Sequence, residues 1–311
     1  MEKDIFDLAI VGGGPAGIAA GIYAARKKIK TLFITRQFHG QSVASENIQN
    51  WIGTISISGQ DLAKKLEEHL KAFADGVLKI HESEVGEKIT KTAEGFLLKT
   101  DKGEYITKTV LITTGSHRRK LEIPGAKEFE HKGLTYCATC DAPMFGDMDV
   151  AVIGGGNSAF ESANQLSAYA KSVTILHRSA EFRADPTTVH KTLANPKIKT
   201  VKNVELLEII GDKFVTGIKF KDKTSGQEMT LNLSGIFVEI GHLPNVELAR
   251  DLVEIDEHNH IKIDHRTQRT SLPGIWAAGD CTDNLYKQNN IAVGDGIKAL
   301  EDIYIYLKKN H

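Results

Sequence analysis

The chain has 311 residues, 41% of them apolar and 25% charged, which is enough for two domains with separate cores and ordinary for a globular protein. A formal net charge of −1 and an isoelectric point near 6.9 create no field for a polyanion, so nucleic acid and anionic membrane are excluded as electrostatic partners. No apolar run approaches the ~18 residues that cross a bilayer, and no basic and apolar leader precedes the first strand, so a cytoplasmic location is expected.

The first predicted strand, Ile5 to Val11, enters Gly12-Gly-Gly-Pro-Ala-Gly17, then a helix of small residues and a second strand, Thr31 to Thr35. Gly12, Gly14 and Gly17 follow the G-x-G-x-x-G spacing. The first glycine makes a tight turn, the second lets a pyrophosphate approach the backbone, and the third lets helix and strand pack closely. Ser58 then caps a helix with Leu62, Leu66 and Leu70 on one face. Phe96 to Thr100 and Tyr105 to Thr107 flank Asp101-Lys102-Gly103 as a hairpin, and Val110 to Thr113 reads as a separate buried strand. Thr114-Gly115 ends it, and Ser116 to Lys120 reads as a crossover linker.

The phrase Asp7 to Arg36 then recurs as Asp149 to Arg178, with Gly154, Gly156 and Ala159 in the three fingerprint positions. One such match is weak, but two with the same flanking strands indicate two nucleotide-binding units. Val215 to Lys221 and Met229 to Leu233 follow as a second hairpin, then an apolar strand from Gly235 to Ile240 and a break at Gly241-His242-Leu243-Pro244-Asn245. The tail, with strand Ile275 to Ala278, turn Gly279-Asp280 and a helix from about Asn290, is too short to stand alone and completes the first domain. The expected organisation is therefore 1–115 with 246–311, and 116–245 inserted between them.

Three cysteines do not make a secreted disulfide framework, and two of them form Cys137-Ala-Thr-Cys140. That spacing suits a redox dithiol whose first thiol is acidified for exchange. A zinc site needs two more ligands at comparable spacing, and the chain has no second pair, so no metal is expected. Asp141 either shuttles a proton for the dithiol or caps a helix, and both readings stand. Cys281 reads as a small buried apolar residue.

These motifs, with Thr113-Thr-Gly115, Gly154-Gly-Gly-Asn-Ser-Ala159 and Ala278-Gly-Asp280, fall in the order and spacing of the low-molecular-weight thioredoxin reductases, which the chain resembles over essentially its whole length. It is also similar to the reductase module of the alkyl hydroperoxide reductase flavoprotein subunit, notably in Asp280-Cys281-Thr282 and Tyr286-Lys287-Gln288. That flavoprotein carries an extra N-terminal thioredoxin-like region, and with the first strand almost at Met1 a separate dithiol partner is expected here. The fold this resemblance implies is α/β, two nested Rossmann-like dinucleotide-binding domains of the class II pyridine nucleotide-disulfide oxidoreductase type. It implies FAD at Gly12, Gly14, Gly17, Arg36, Gln41, Asn50, Val85, Thr114, Gly115, Asp280, Lys287 and Gln288. It implies NADPH, in preference to NADH, at Gly154, Gly156, Asn157, Ser158, Ala159, His177, Arg178 and Arg183. It further implies catalysis by Cys137, Cys140 and Asp141, a thioredoxin-like protein as disulfide partner, and a homodimer.

The chain departs from that pattern in places. The acidic residue expected ~20 positions past the first fingerprint is absent, and Arg36 or Gln37 stands there. In His177-Arg178-Ser179, serine replaces the second arginine of the NADPH pattern, but no carboxylate takes its place. A reductase of a peroxiredoxin system would differ only in its protein partner. A ferredoxin-fed reductase would show a degenerate second fingerprint, whereas this one is intact. Relatives of glutathione reductase carry a cysteine pair near the first fingerprint, where this chain has Phe38-His-Gly-Gln-Ser42.

Overall fold

A computed structural model describes residues 5–38, 40–44 and 48–309. The chain forms two compact units, one from the residues up to His117 together with those from Leu243 onward, the other from Arg118 to His242.

The first unit begins with β1 (Ile5–Val11), α1 (Pro15–Arg26), β2 (Thr31–Thr35), α2 (Gly59–Ala74), β3 (Leu78–Glu82), β4 (Gly86–Thr92), β5 (Gly95–Thr100) and β6 (Glu104–Ile112). The chain crosses over through β7 (Ser116–Arg118). The inserted unit then runs β8 (Leu134–Thr135), α3 (Ala138–Asp141), β9 (Asp149–Gly154), α4 (Asn157–Ser167), β10 (Ser172–Leu176), α5 (Pro186–Leu193), β11 (Ile198–Val201), β12 (Val204–Gly211), β13 (Val215–Asp222), β14 (Glu228–Asn232) and β15 (Gly235–Glu239). It returns by β16 (His242–Pro244), which pairs with β7, and the first unit ends with β17 (Ile275–Ala277) and α6 (Asn289–Lys309).

In the first unit β3, β2, β1 and β6 lie in that order and are parallel. Leu8, Ala9 and Ile10 are all fully buried, as a strand covered on both faces requires. Alternate residues divide between two cores. Leu8, Ile10 and Phe33 meet Ile18 of α1 and Leu300 of α6 on one face, and Ala9, Leu32 and Ile34 meet Leu98, Val246 and Ile275 on the other. α2 starts at Ser58, whose hydroxyl accepts the Asp61 N–H at 3.0 Å, and buries Leu62 and Leu70.

The structure corrects one expectation about this sheet. Tyr105 to Thr107 and Val110 to Thr113 are not separate strands: the first and all of the second but Thr113 lie in the single strand β6, whose first half pairs antiparallel with β5 and whose last three residues pair parallel with β17. The polar residues that break its apolar pattern are satisfied in place: Lys108 pairs with Asp7 at 2.8 Å, and the Thr109 hydroxyl donates to the Asp7 carbonyl at 2.7 Å.

The inserted unit has a parallel sheet, β11-β10-β9-β15-β8, and a three-stranded antiparallel sheet, β12-β13-β14. Phe160 of α4 and Phe237 share one core with Val152 and Ile175. On the other face Ile153 and Val238 pack with Ile218 and Phe220 of the antiparallel sheet. Both units are thus α/β, with a strand, a glycine-rich turn and a helix at their centre.

Candidate functional site

In the first turn each glycine meets a different demand. Gly12 has φ +122°, and a Cβ there would lie 2.2 Å from the Thr113 carbonyl oxygen. A Cβ on Gly17 would lie 1.9 Å from the Gly12 carbonyl oxygen, so only glycine lets α1 start this close to β1. Gly14 differs: it is the N-cap of α1, and a Cβ on it would meet nothing within 4 Å. No side chain caps that helix and no acidic residue sits in its first turn. An open concavity at a bare positive helix end fits a diphosphate.

The second turn repeats this. A Cβ on Gly154 would lie 2.3 Å from the Glu239 carbonyl oxygen, while Gly156, the N-cap of α4, opens onto free space with no side-chain cap and no acid in the first turn. Ala159 is fully buried in the third position. Asn157 accepts the Asp185 N–H at 2.8 Å through Oδ1, and Ser158 is exposed beside it.

Around the first turn, Gln41 donates through Nε2 to the Ser116 carbonyl at 2.9 Å, and the Ser116 hydroxyl donates to Asp280 at 3.4 Å. Asn50 donates to Gln288 Oε1 at 2.9 Å. Thr114 is clasped by Asn245, whose Nδ2 donates to the Thr114 carbonyl at 2.9 Å and whose own carbonyl accepts the Thr114 hydroxyl at 2.6 Å. Gly115, at φ +63°, turns the chain away. Lys287 folds its ammonium onto the Thr282 carbonyl at 2.5 Å, and burial of the charge lowers its pKa against the pull of Asp280. Arg36 is exposed at the end of β2. Val85 has both main-chain groups committed to Asp101, at 2.8 and 3.1 Å, which leaves its side chain for any ligand.

The dithiol lies in the inserted unit. Cys137 is disulfide-bonded and half-buried; the side chain of Cys140 lies outside the described residues. The Thr135 hydroxyl accepts the Cys137 N–H at 3.2 Å and donates to the Asp141 carboxylate. The Asp141 N–H in turn donates to the Cys137 carbonyl at 3.2 Å. Asp141 precedes the short helical turn Ala142–Phe145, and its side chain caps nothing there. Thr135 was not singled out from the sequence, because its importance rests on a hydroxyl placed between two partners and threonine in a strand is unremarkable.

At the end of β10, Arg178 and Arg183 are exposed. His177 is 6% exposed and lies under the glycine turn, where a Cβ on Gly155 would be 2.1 Å from Nδ1. Its Nε2 pairs with the Glu181 carbonyl at 2.9 Å. Glu239 also escaped notice in the sequence. Its side chain is 8% exposed, accepts the Ser162 hydroxyl at 2.8 Å and lies 3.7 Å from Arg118; burial raises its pKa, with Arg118 and Ser162 opposing. Cys281 is a free, fully buried thiol whose pKa burial raises, as a small apolar residue would be placed.

The Pyridine nucleotide-disulphide oxidoreductase family matches residues 6–296. The chain belongs to that family. It is 39% identical over 310 residues to a Bacillus subtilis protein named NADH dehydrogenase, covering 99% of this chain and 60% of that one. It is 39% identical over 313 residues to the Staphylococcus aureus alkyl hydroperoxide reductase F protein, again with 99% and 60% covered. The chain thus spans about 60% of the length of these curated relatives. The crystal structure of Lactococcus lactis thioredoxin reductase (FR conformation) superposes with a TM-score of 0.92 at 34% identity, covering 98% of this chain and 99% of that one. The family is one of oxidoreductases and implies a flavin and a nicotinamide cofactor, and the two open glycine turns fit both. Among the described residues, no helix is long and apolar enough to cross a membrane.

Proposed function

We propose that the chain is a thioredoxin-disulfide reductase, moving electrons from NADPH through FAD and the Cys137/Cys140 dithiol to a thioredoxin-like protein. One observation carries this reading: Cys137 is held in a hydrogen-bonded loop with Thr135 and Asp141, in the same unit as the second glycine turn. NADPH would give up a hydride and become NADP+, and with one further proton from solvent the cysteine disulfide would take two electrons and two protons to become a dithiol. FAD would supply the two-electron relay between them. Gly14 and the N-terminus of α1 would hold its diphosphate, beside the hydrogen-bonded pairs that join Gln41, Asp280, Asn50 and Gln288 to their neighbours. Gly156 and α4 would hold the coenzyme diphosphate, and Arg178 and Arg183 would receive its 2′-phosphate. Asp141, anchored beside Cys137 by the Thr135 hydroxyl, would take up and return the dithiol proton. By family analogy Cys140 would react with the flavin and Cys137 would attack the partner disulfide.

The 39% identity to the alkyl hydroperoxide reductase F protein favours a second reading, in which the partner belongs to a peroxiredoxin system. Steady-state assays with a thioredoxin and with the thioredoxin-like region of such a flavoprotein separate the two, because only the true partner gives saturable reduction. Anaerobic titration with NADPH and NADH tests the coenzyme, with bleaching of the flavin near equivalence expected for NADPH. In the same assay Arg178→Ala is expected to raise KM for NADPH about tenfold and leave NADH unchanged, since a charged bidentate contact is worth roughly 1.5–3 kcal/mol.

A further inference from the structure

Ser179 leaves the 2′-phosphate pattern one cation short, and the fold brings two lysines from other strands to the same place. Lys202 follows β11, and its ammonium lies 4.4 Å from the ring centroid of Phe182, the neighbour of Arg183. The next residue, Asn203, donates its N–H to the Ser179 carbonyl at 3.4 Å. Lys223, in the turn between β13 and β14, donates its N–H to the Asn203 carbonyl at 2.8 Å and its ammonium to the Arg178 carbonyl at 3.2 Å. The two lysines therefore flank the 178–183 loop, and they are exposed like Arg178 and Arg183. Of the nearby carboxylates, Asp185 is engaged as the N-cap of α5 and Asp222 accepts the Thr224 and Ser225 N–H groups. Glu181 is exposed on the same loop and is the acid that would favour an unphosphorylated ribose. An open pocket of about 680 Å³ adjoins the loop, with Phe182, Val189 and Leu193 as apolar walls and Lys202 and Glu181 among its lining. Such walls suit a purine ring.

We propose that Lys202 and Lys223 replace the missing arginine, forming with Arg178 and Arg183 a four-cation seat for the 2′-phosphate of NADPH. The inference rests on the NADPH reading and gives it a specificity determinant peculiar to this chain. Four positive groups outweigh Glu181. Lys202 is partly ordered by its contact with Phe182, so it loses less freedom on binding a phosphate. Lys223 brings a point charge to the main chain of Arg178 itself.

Calorimetry on the flavin-loaded protein tests this with 2′,5′-ADP and 5′-AMP as probes. The unaltered protein is expected to favour 2′,5′-ADP at least ~10-fold, and Lys202→Met, which keeps its stem over Phe182, and Lys223→Gln each to lose about three- to tenfold of that affinity with 5′-AMP unchanged. Retention of full 2′,5′-ADP affinity by both variants would overturn the seat while leaving the NADPH reading intact. Equal loss of both probes would show a structural role and would also overturn it. An unaltered protein with no preference for 2′,5′-ADP would remove the NADPH reading and the seat together.

Discussion

Thr135 places one hydroxyl between the Cys137 amide and the Asp141 carboxylate, so that hydroxyl ties the Cys137 loop to the carboxylate. Cys137→Ser and Cys140→Ser are each expected to abolish reduction of a protein disulfide while flavin stays bound, as absorbance and partner assays would show. Retention of near-normal activity by either would remove the pair from the mechanism. Glu239 gives a second test, in stability. Burial raises its pKa, so the fold prefers the neutral acid; that contribution is complete below the unfolded pKa of ~4.3 and is lost as pH rises through the raised folded value. Glu239→Gln, which keeps an acceptor for Ser162, is therefore expected to melt higher than the parent at neutral pH and to converge with it in acid. A variant destabilised at neutral pH would show that Arg118 more than compensates for burial of the charge. Much of the site was legible at this scale because glycine and paired cysteine answer demands that few other residues meet. Thr135 and Glu239 were not, because a threonine in a strand is unremarkable and Glu239 meets Ser162 and Arg118 only through the fold.

Within the elements, the two glycine turns separate packing from binding. Gly14→Val and Gly156→Val put side chains where nothing lies within 4 Å, so each is expected to change stability by less than ~1 kcal/mol. Gly14→Val is expected to leave the protein without flavin, and Gly156→Val to keep the flavin while raising KM for the nicotinamide coenzyme at least ~10-fold. Gly17→Ala is the contrast: its methyl would meet the Gly12 carbonyl at 1.9 Å, and thermal unfolding should show a loss of about 3 kcal/mol or more. Normal flavin content in Gly14→Val would mean that the diphosphate lies elsewhere. The strands flanking these turns were readable because burial on both faces demands an unbroken apolar run, as in Leu8 to Val11 and Val150 to Ile153. β6 was not, since Lys108 and the adjacent threonines look like a boundary until Asp7 is seen beside them. Lys202 and Lys223 were likewise invisible as binders, because only the end of β11 and the β13–β14 turn bring them to the 178–183 loop.

For the molecule as a whole, the Cys137 loop and the second glycine turn share the inserted unit, while the first glycine turn belongs to the other. Under the proposed mechanism both must reach one flavin in succession, so the units are expected to reorient through the crossovers at β7 and β16 during turnover. Linking the units with a non-reducible bifunctional reagent should preserve one half-reaction and stop the cycle; a fully linked enzyme turning over at the normal rate would sink this expectation. The interrupted first unit also has a consequence for biosynthesis. The last three residues of β6 pair with β17, which leaves the ribosome only after the whole inserted unit has been made. At ~5–20 residues per second that delay is on the order of ten to thirty seconds. The inserted unit is contiguous and can fold within that time, while Val110–Ile112 waits as an open, apolar strand edge. A nascent chain stalled after Glu239 should therefore bind chaperones through the first unit, and release them once Ile275–Ala277 has emerged to close the sheet.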